Sequence, residues 1–538
     1  MHYSYLEPGL HAELAAITPD EAVAHLRNHL GNLLLDPAVT AAYINRLGVL
    51  TPEETTPSSR AWLTYLLVRY CDLLPLDLAA QRILAQVTGN AAPHLRDLER
   101  CAIPDPIERK LERLGAGEDS ERNRAMLLAL LHEYPYSPAI MERLMAVELA
   151  LDIPVGGEWL PSVRPPAGLM RPLHERLFIH AMMQGDTERA LQHAAACVPD
   201  NPSPHLLNHL AELHARLGDA QQALNLYGAS LEADPLQHPV KLRMEALAKP
   251  PRAHADALHH RIAICLYSFN KAELLERTLS SLAASQTGEA HILVLLNGCT
   301  DDSATRVAAV NERLFNGRLE VIDMPINIGA PAARNWLLAK QTVREADFVA
   351  FLDDDVDVPA AWLPRLVGNL EEHPGAGVAG TRVRNPGDVP RLQYLYRNIS
   401  VARPGLIRLS LDTPTLHHDT GFYDFTRSTT SVMGCCHVFT RRALDEVPAF
   451  DLRFSPSQMD DIAHDIDLAL AGFDVLYTGD VVCVHHQMSG LGRAHATDWK
   501  RFGNVAGNDV KFYYRFADRL DALGRLNNLG FMPDMPPA

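Results

Sequence analysis

The chain lacks most of the features that assign a protein at a glance. No stretch of its 538 residues approaches the roughly 18 consecutive apolar residues that cross a bilayer. The opening MHYSYLEPGLHAEL has neither the basic region nor the apolar core of a secretory signal, which predicts a cytoplasmic protein, free or peripheral at the inner membrane. No Lys/Arg run offsets the formal net charge of −17, a field that repels nucleic acid and anionic lipid. Cysteine is sparse: the 8 residues show no CxxC or zinc spacing, and Cys435 adjoins Cys436, which excludes a disulfide framework or metal knuckle. What is there, 47% apolar and 21% charged residues, suits ordinary globules, and the length calls for two or three of them.

Strand-like alternation is missing from residue 1 to about 250. Apolar residues recur there at three and four spacing, as in Ala61–Leu74 and Ala125–Leu131, which predicts helices throughout. Gly185-Asp186 returns as Gly218-Asp219, Ala190-Leu191 as Ala223-Leu224 and Pro202 as Pro235, a period of 33 residues. Gly218 permits a turn between two antiparallel helices and Pro235 stops the second. The segment LAELHARLGDAQQALNLYGASLEADP, from Leu210 to Pro235, resembles a single tetratricopeptide repeat. Two repeats cannot bury their own faces, so the preceding helices should complete a stack; an irregular bundle with two chance matches is the other reading. The expected division is a helical region at 1–170, repeats at 171–250, a linker at 251–260 marked by KPPRAHADALHH, an α/β domain at 261–486 and a tail at 487–538.

Beyond the linker, short β-rich runs alternate with amphipathic segments: RIAICL from Arg261, HILVLL from His291, LEVID from Leu319 and FVAFL from Phe348. This pattern predicts a parallel sheet covered by helices on both faces. Ligands of such sheets bind beyond the carboxyl ends of the strands, and here those ends are polar: Tyr267-Ser268-Phe269-Asn270, Asn297-Gly298-Cys299-Thr300-Asp301, Asn327-Ile328-Gly329 and Asp353-Asp354-Asp355. The last run crowds carboxylates, which is unfavourable without a cation. A hard divalent ion, Mn²⁺ or Mg²⁺, takes oxygen ligands and shares them with phosphate. A solvated acidic turn, with Asp357 capping a helix that starts near Pro359, is the plainer alternative.

Together these motifs resemble the family 2 glycosyltransferases of the GT-A fold, from Arg261 to about His486. CLYSFNKAELLERTLSSL is similar to the family's opening motif, LNGCTDDS to its nucleotide-recognition turn, NIGAPAARNWLL to N-x-G-x-x-x-A-R-N, and LDDD to its DxD motif. The resemblance implies a Rossmann-like α/β GT-A domain behind an all-α, tetratricopeptide-like domain, with a nucleoside-diphosphate sugar, UDP-linked, as donor. It implies that Tyr267 and Ser268 line the base pocket, that Asn297 stands where the family more often has a base-recognising acid, and that Arg334 reaches the nucleotide. Asn270, Asp301, Asn327, Gly329, Asp353 and Asp354 complete the implied donor site. Asp353, Asp355 and His485 are the implied ligands of Mn²⁺ or Mg²⁺, with an ordinary structural role for His485 left open.

The run from Asp460 to His486 resembles the family's acceptor-side motif, E-D-x-D-L followed by a helix, A-G, a strand and a terminal His. Matching HDIDL at His464–Leu468 needs a deletion before Gly472. Counting back from Ala471-Gly472 without gaps places Asp460-Asp461 on the Glu-Asp pair, the register preferred here. The inverting transfer that the resemblance implies needs a carboxylate to take the acceptor proton. Asp461 is the candidate base, with Asp460 beside it and Asp465 one helical turn on; an acidic first turn that stabilises its helix is the alternative. Val383–Thr430 carries no motif and is the expected acceptor groove. The tail, with Arg493, Trp499 and Arg501, is expected to act as a lid over the diphosphate or as a plain surface extension. SPSQMDD, at Ser455–Asp461, is similar to bacterial flagellin-modifying glycosyltransferases, which with a peptide-binding repeat implies a protein acceptor. A surface polysaccharide or lipid-linked oligosaccharide is the rival acceptor, and a scaffold that binds sugar nucleotides without turnover is the rival class.

Overall fold

Helix starts in the first half are set by a recurring device. Thr18, Asp36, Thr56 and Ser203 each precede a proline, and each side chain accepts the backbone N–H three residues on, from Glu21, Val39, Ser59 and Leu206. A side-chain acceptor at the cap and a proline at the first helical position are the strongest local signals for a helix start. The computed structural model of the chain describes residues 10–49, 56–115, 120–199, 201–249, 254–397, 399–403, 406–409, 418–486 and 499–526. Among these, fourteen α-helices run from Leu10–Ala16 to His238–Leu247, and no strand interrupts them. Among the described residues, no helix is long and apolar enough to cross a membrane.

The 33-residue period is a repeat of one hairpin. Helices Ala167–Gln184 and Thr187–Cys197 are joined by Gly185 (φ 74°) and capped by Asp186; helices Pro204–Arg216 and Ala220–Ala233 are joined through Gly218 (φ 80°) and capped by Asp219. Left-handed glycines close the first helix of each pair, which explains why Gly-Asp recurs. The expected linker is less free than its composition implies: Ala255–His259 forms a 3₁₀ turn, Ala257 is buried, and His260 Nε2 lies 2.6 Å from Glu371 Oε1.

The second half is built on one large sheet. Its strands are β1 (Ile262–Ser268), β2 (His291–Leu296), β3 (Glu320–Asp323), β4 (Phe348–Asp353), β5 (Val356–Asp357), β6 (Ala376–Arg384), β7 (Leu392–Tyr394), β10 (Thr426–Thr429), β11 (Cys436–Thr440) and β12 (Asp474–His485). A separate hairpin pairs β8 (Ile399–Arg403) with β9 (Leu406–Leu409). The order β3-β2-β1-β4 is parallel, as the alternation predicted. The wholly parallel sheet is corrected beyond it: β11 runs antiparallel between β4 and β6, and β12 lies parallel to β6 with β10 antiparallel on its far side. β1 is buried on both faces, Ile262, Ile264 and Leu266 toward one apolar layer and Ala263 and Cys265 toward the other. The described cysteines are all free, and most are buried.

The helical half docks on the far side of this sheet. The Tyr396 hydroxyl donates to the Asn32 carbonyl, Arg427 donates to Asn32 Oδ1 at 2.7 Å, and the Leu34 N–H donates to the Tyr423 hydroxyl at 3.2 Å. Arg243 pairs with the buried Glu212 at 2.7 Å and donates to the Asp424 carbonyl at 3.2 Å. A cavity of about 470 Å³ lies at this junction, lined among others by Leu33, Leu34, Asn208, Phe422 and Tyr423.

Candidate active site

The tips of β1 and β2 are tied together before any ligand arrives. The Asn297 N–H donates to the Ser268 carbonyl at 2.8 Å, and the Thr300 N–H donates to Asn270 Oδ1 at 2.7 Å, with Asn270 in the left-handed region (φ 54°) that asparagine tolerates. Asn297 is spent inside the chain: its Nδ2 donates to Asn327 Oδ1 and its Oδ1 accepts from the Ile328 N–H, both at 3.0 Å. Asn327 Oδ1 also accepts from the Gly329 N–H at 2.8 Å, so the loop after β3 is fastened to the end of β2. Gly298 (φ 70°) makes this approach feasible, because a Cβ there would lie 2.3 Å from the Ile326 carbonyl carbon. Asp301 serves as a cap, its Oδ2 accepting from the Ala272 N–H and its Oδ1 from the Ser303 N–H, each at 3.1 Å.

Beside these tips, β4 delivers the acidic run. One oxygen each of Asp353 and Asp355 and one ring nitrogen of His485, at the end of β12, all lie within 4.8 Å of one another. His485 Nδ1 faces Gln393 Oε1 at 2.5 Å, an oxygen that only accepts, so Nδ1 carries the proton and Nε2 is free to ligate. Nε2 stands 3.0 Å from Asp355 Oδ1 but off the line of a hydrogen bond, which leaves that buried oxygen without a hydrogen-bond partner. Two carboxylates and an unprotonated imidazole nitrogen suit Mn²⁺ or Mg²⁺. Burial raises the Asp353 carboxyl to about 7 in spite of Arg334 nearby. Burial acts the same way on Asp355, but in the metal-free site His485, while its ring carries both protons, and Lys271 hold it down to about 2. Asp357 does not cap the following helix; it pairs with Arg277 at 2.6 Å and His486 at 2.8 Å, so adjacent histidines face opposite ways and only His485 meets the cluster.

Arg334 links this cluster to the acceptor side. The residue is 3% exposed; its Nη1 donates to Asp460 Oδ2 at 2.5 Å, its Nη2 stands 3.8 Å from Asp353 Oδ1, and the guanidinium lies over the rings of Tyr267 (5.3 Å) and Phe450 (5.1 Å). Asp460 opens the helix Asp460–Leu470 after two residues at positive φ, Gln458 (79°) and Met459 (70°). Backbone held in this sparsely populated region marks a segment over-determined by its surroundings. The next residue, Asp461, accepts from the Gly434 N–H at 3.2 Å, and the Gly434 carbonyl faces Arg334 Nη2 at 3.4 Å. Asp465 shares the helix face with Asp461 but is wholly buried, its Oδ2 accepting from the Ser431 hydroxyl and the Val432 N–H at 3.0 Å each; burial raises it to about 8.

The amino-acid pattern of residues 263–447 matches the family described as glycosyl transferase family 2. This segment is a family 2 glycosyltransferase domain. Among curated proteins, the chain is 28% identical over 188 residues to a pre-mycofactocin glycosyltransferase of Mycobacterium tuberculosis (strain ATCC 25618 / H37Rv), covering 34% of this chain and 36% of the other. It is 28% identical over 133 residues to an undecaprenyl-phosphate 4-deoxy-4-formamido-L-arabinose transferase of Proteus mirabilis (strain HI4320), covering 24% of this chain and 39% of the other. The matches thus span little more than a third of these relatives. Among solved structures, GalNAc-T7 with UDP, GalNAc and Mn²⁺ aligns at 13% identity and TM-score 0.36, over 51% of this chain and 55% of that one.

The family 2 segment brings Tyr267, Arg334, Asp353 and Asp355 to one edge, where His485 and Asp460 from the chain beyond it meet them and Asp461 joins through Gly434. Ser268, Asn297, Asn327 and Asp301 form the frame behind that edge. Three residues that sequence reasoning did not single out stand beside it: Lys271, whose Nζ lies 2.9 Å from both Asp354 Oδ1 and Asp355 Oδ2, Gln393, and Gly434. A basic residue directly after the first strand's tip, opposite an acidic tip, was a signal available for Lys271. From the tail, helices Trp499–Phe516 and Leu520–Leu526 pack Phe512, Phe516 and Leu523 against Ile462 and Ile466, bracing the helix that carries Asp461. Arg493 and the side chains of Trp499 and Arg501, on which a lid would depend, lie outside the described residues.

Proposed function

We propose that the chain is an inverting, metal-dependent glycosyltransferase that moves a sugar from a nucleoside-diphosphate sugar, UDP-linked, to an acceptor hydroxyl. The observation that carries this reading is the convergence of Asp353, Asp355 and His485 within 4.8 Å, joined by Arg334 to the Asp460-Asp461 pair. Tyr267 and Arg334 form one wall of the donor site. The Asp461 carboxylate takes the acceptor proton as the hydroxyl oxygen bonds to the anomeric carbon. The bond from that carbon to the diphosphate breaks on the opposite face, and its electron pair leaves with the phosphate oxygen. A divalent ion held by Asp353, Asp355 and His485 supplies positive charge where the leaving diphosphate gathers negative charge. Asp460, buried against Arg334, positions rather than reacts.

For the acceptor, the paired helical hairpins of tetratricopeptide-like period beside the domain support a protein Ser/Thr hydroxyl, such as flagellin's. The second reading, a lipid-linked or polysaccharide acceptor, draws its support from the relatives' names, which include poly-β-1,6-N-acetyl-D-glucosamine synthase of Staphylococcus aureus (strain COL). A non-catalytic sugar-nucleotide scaffold has no need of Asp461. The test is UDP release and label transfer from radiolabelled nucleotide sugars with a lysate of the source organism, with Mn²⁺ or with EDTA. Metal-dependent label in protein supports the first reading, and label confined to lipid or polymer moves the assignment to the second. Absence of metal-dependent turnover removes the enzyme.

A further inference from the structure

We infer that Lys271 is the built-in counter-ion of the acidic tip of β4, holding Asp354 out of the metal site and restricting that site to one divalent ion. The inference rests on Asp353, Asp355 and His485 being the metal's ligands. Lys271 is fixed from both sides. The chain turns at Asn270 (φ 54°), whose Oδ1 is held by Thr300, and the helix Ala272–Ala283 starts immediately after, its first N–H held by Asp301 Oδ2 at 3.1 Å. Between these anchors the ammonium has two partners, Asp354 Oδ1 and Asp355 Oδ2, each at 2.9 Å.

The two oxygens of Asp355 are therefore divided. Oδ2 faces Lys271, while Oδ1 faces Nε2 of His485, a fellow member of the three-residue ligand group. Asp354 is absent from that group and nearly buried, its side chain 7% exposed, with Lys271 as its ion-pair partner. The charges then balance: three carboxylates against one ammonium and one divalent ion, while Arg334 and Asp460 neutralise each other separately. Without Lys271 the cluster would present one further uncompensated carboxylate to any arriving cation. Since the interaction of a divalent ion with each nearby charge is strong in a partly buried site, removing the ammonium strengthens metal binding even as it destabilises the metal-free protein.

That combination separates a counter-ion of the metal site from a merely structural lysine, whose loss would weaken metal binding or leave it unchanged. The experiment follows Mn²⁺ binding to the full chain by loss of the free-ion paramagnetic resonance signal, without nucleotide, at mildly alkaline pH. Wild type should bind one ion per chain. Lys271→Met and Lys271→Gln should bind Mn²⁺ about tenfold more tightly, with a lowered melting temperature that added Mn²⁺ restores. Lys271→Arg, which keeps the charge, should stay near the wild-type affinity, and Asp355→Asn should lose binding in either background. Unchanged or weaker binding in both neutral variants, with one ion in wild type, overturns the counter-ion role and leaves the metal site standing. No Mn²⁺ bound by wild type at millimolar concentration overturns both.

Discussion

Asp461 and Asp460 adjoin in the chain yet do different work. Asp460 is clamped by Arg334, while Asp461 is only partly buried and accepts one backbone hydrogen bond from Gly434. Replacing Asp461 by Asn should lower kcat by roughly 10²- to 10⁴-fold with little change in Mn²⁺ affinity, read from turnover and from metal titration. Gly434 is the second sensitive point: a Cβ there would lie 2.5 Å from Asp461 Oδ2, so Gly434→Ala must displace the carboxylate. The expected cost is about 1–3 kcal/mol in urea unfolding, together with most of the turnover. At this scale, motifs at strand ends pointed to Tyr267, Asp353 and Asp355, and the motif after β3 pointed to Arg334 on the helix Ala330–Leu338, residues that lie near one another in the fold. It was silent on Lys271, whose partners lie 83 and 84 residues on, and on how fully Asn297 is consumed by Asn327 and Ile328. Those are consequences of tertiary approach, which spacing does not encode.

Among the elements, the helix Asp460–Leu470 is the most informative. Helical spacing correctly put Asp461 and Asp465 on one face, but that face turns inward at Asp465, against Ser431 and Val432. Its carboxyl is raised by burial to about 8, so the folded chain keeps a proton that the unfolded chain gives up near 4. A raised folded-state value means stability present at low pH and lost as pH climbs from about 4 through about 8. Asp465→Asn has no such proton to lose and should gain on wild type across that window, by several kcal/mol at its upper end, as measured by denaturant unfolding at both ends. The direction of β11 was not readable in the same way. An apolar run such as CHVFT satisfies a buried strand whichever way it points, so the parallel expectation failed there and held for β1 to β4.

At the scale of the whole molecule, the helical half and the family 2 domain share buried charge. Glu212 is 2% exposed, and its partners are Arg243 and the Tyr227 hydroxyl, beside the Asp424 carbonyl that Arg243 also binds. Arg243→Met leaves that carboxylate without its cation, and calorimetry should register a loss of about 3–5 kcal/mol. The change from helical to strand-rich texture near residue 250 was legible in the sequence; the contacts of Asn32 with Tyr396 and Arg427 were not, because they join residues more than half the chain apart. The account depends above all on strand tips converging around one cation. Crystals of the chain grown with UDP and Mn²⁺, with diffraction recorded at the manganese edge, address this directly. A single anomalous peak bounded by Asp353, Asp355 and His485, with the diphosphate beside it, is the predicted result; a peak elsewhere, or none with UDP bound, would contradict the account.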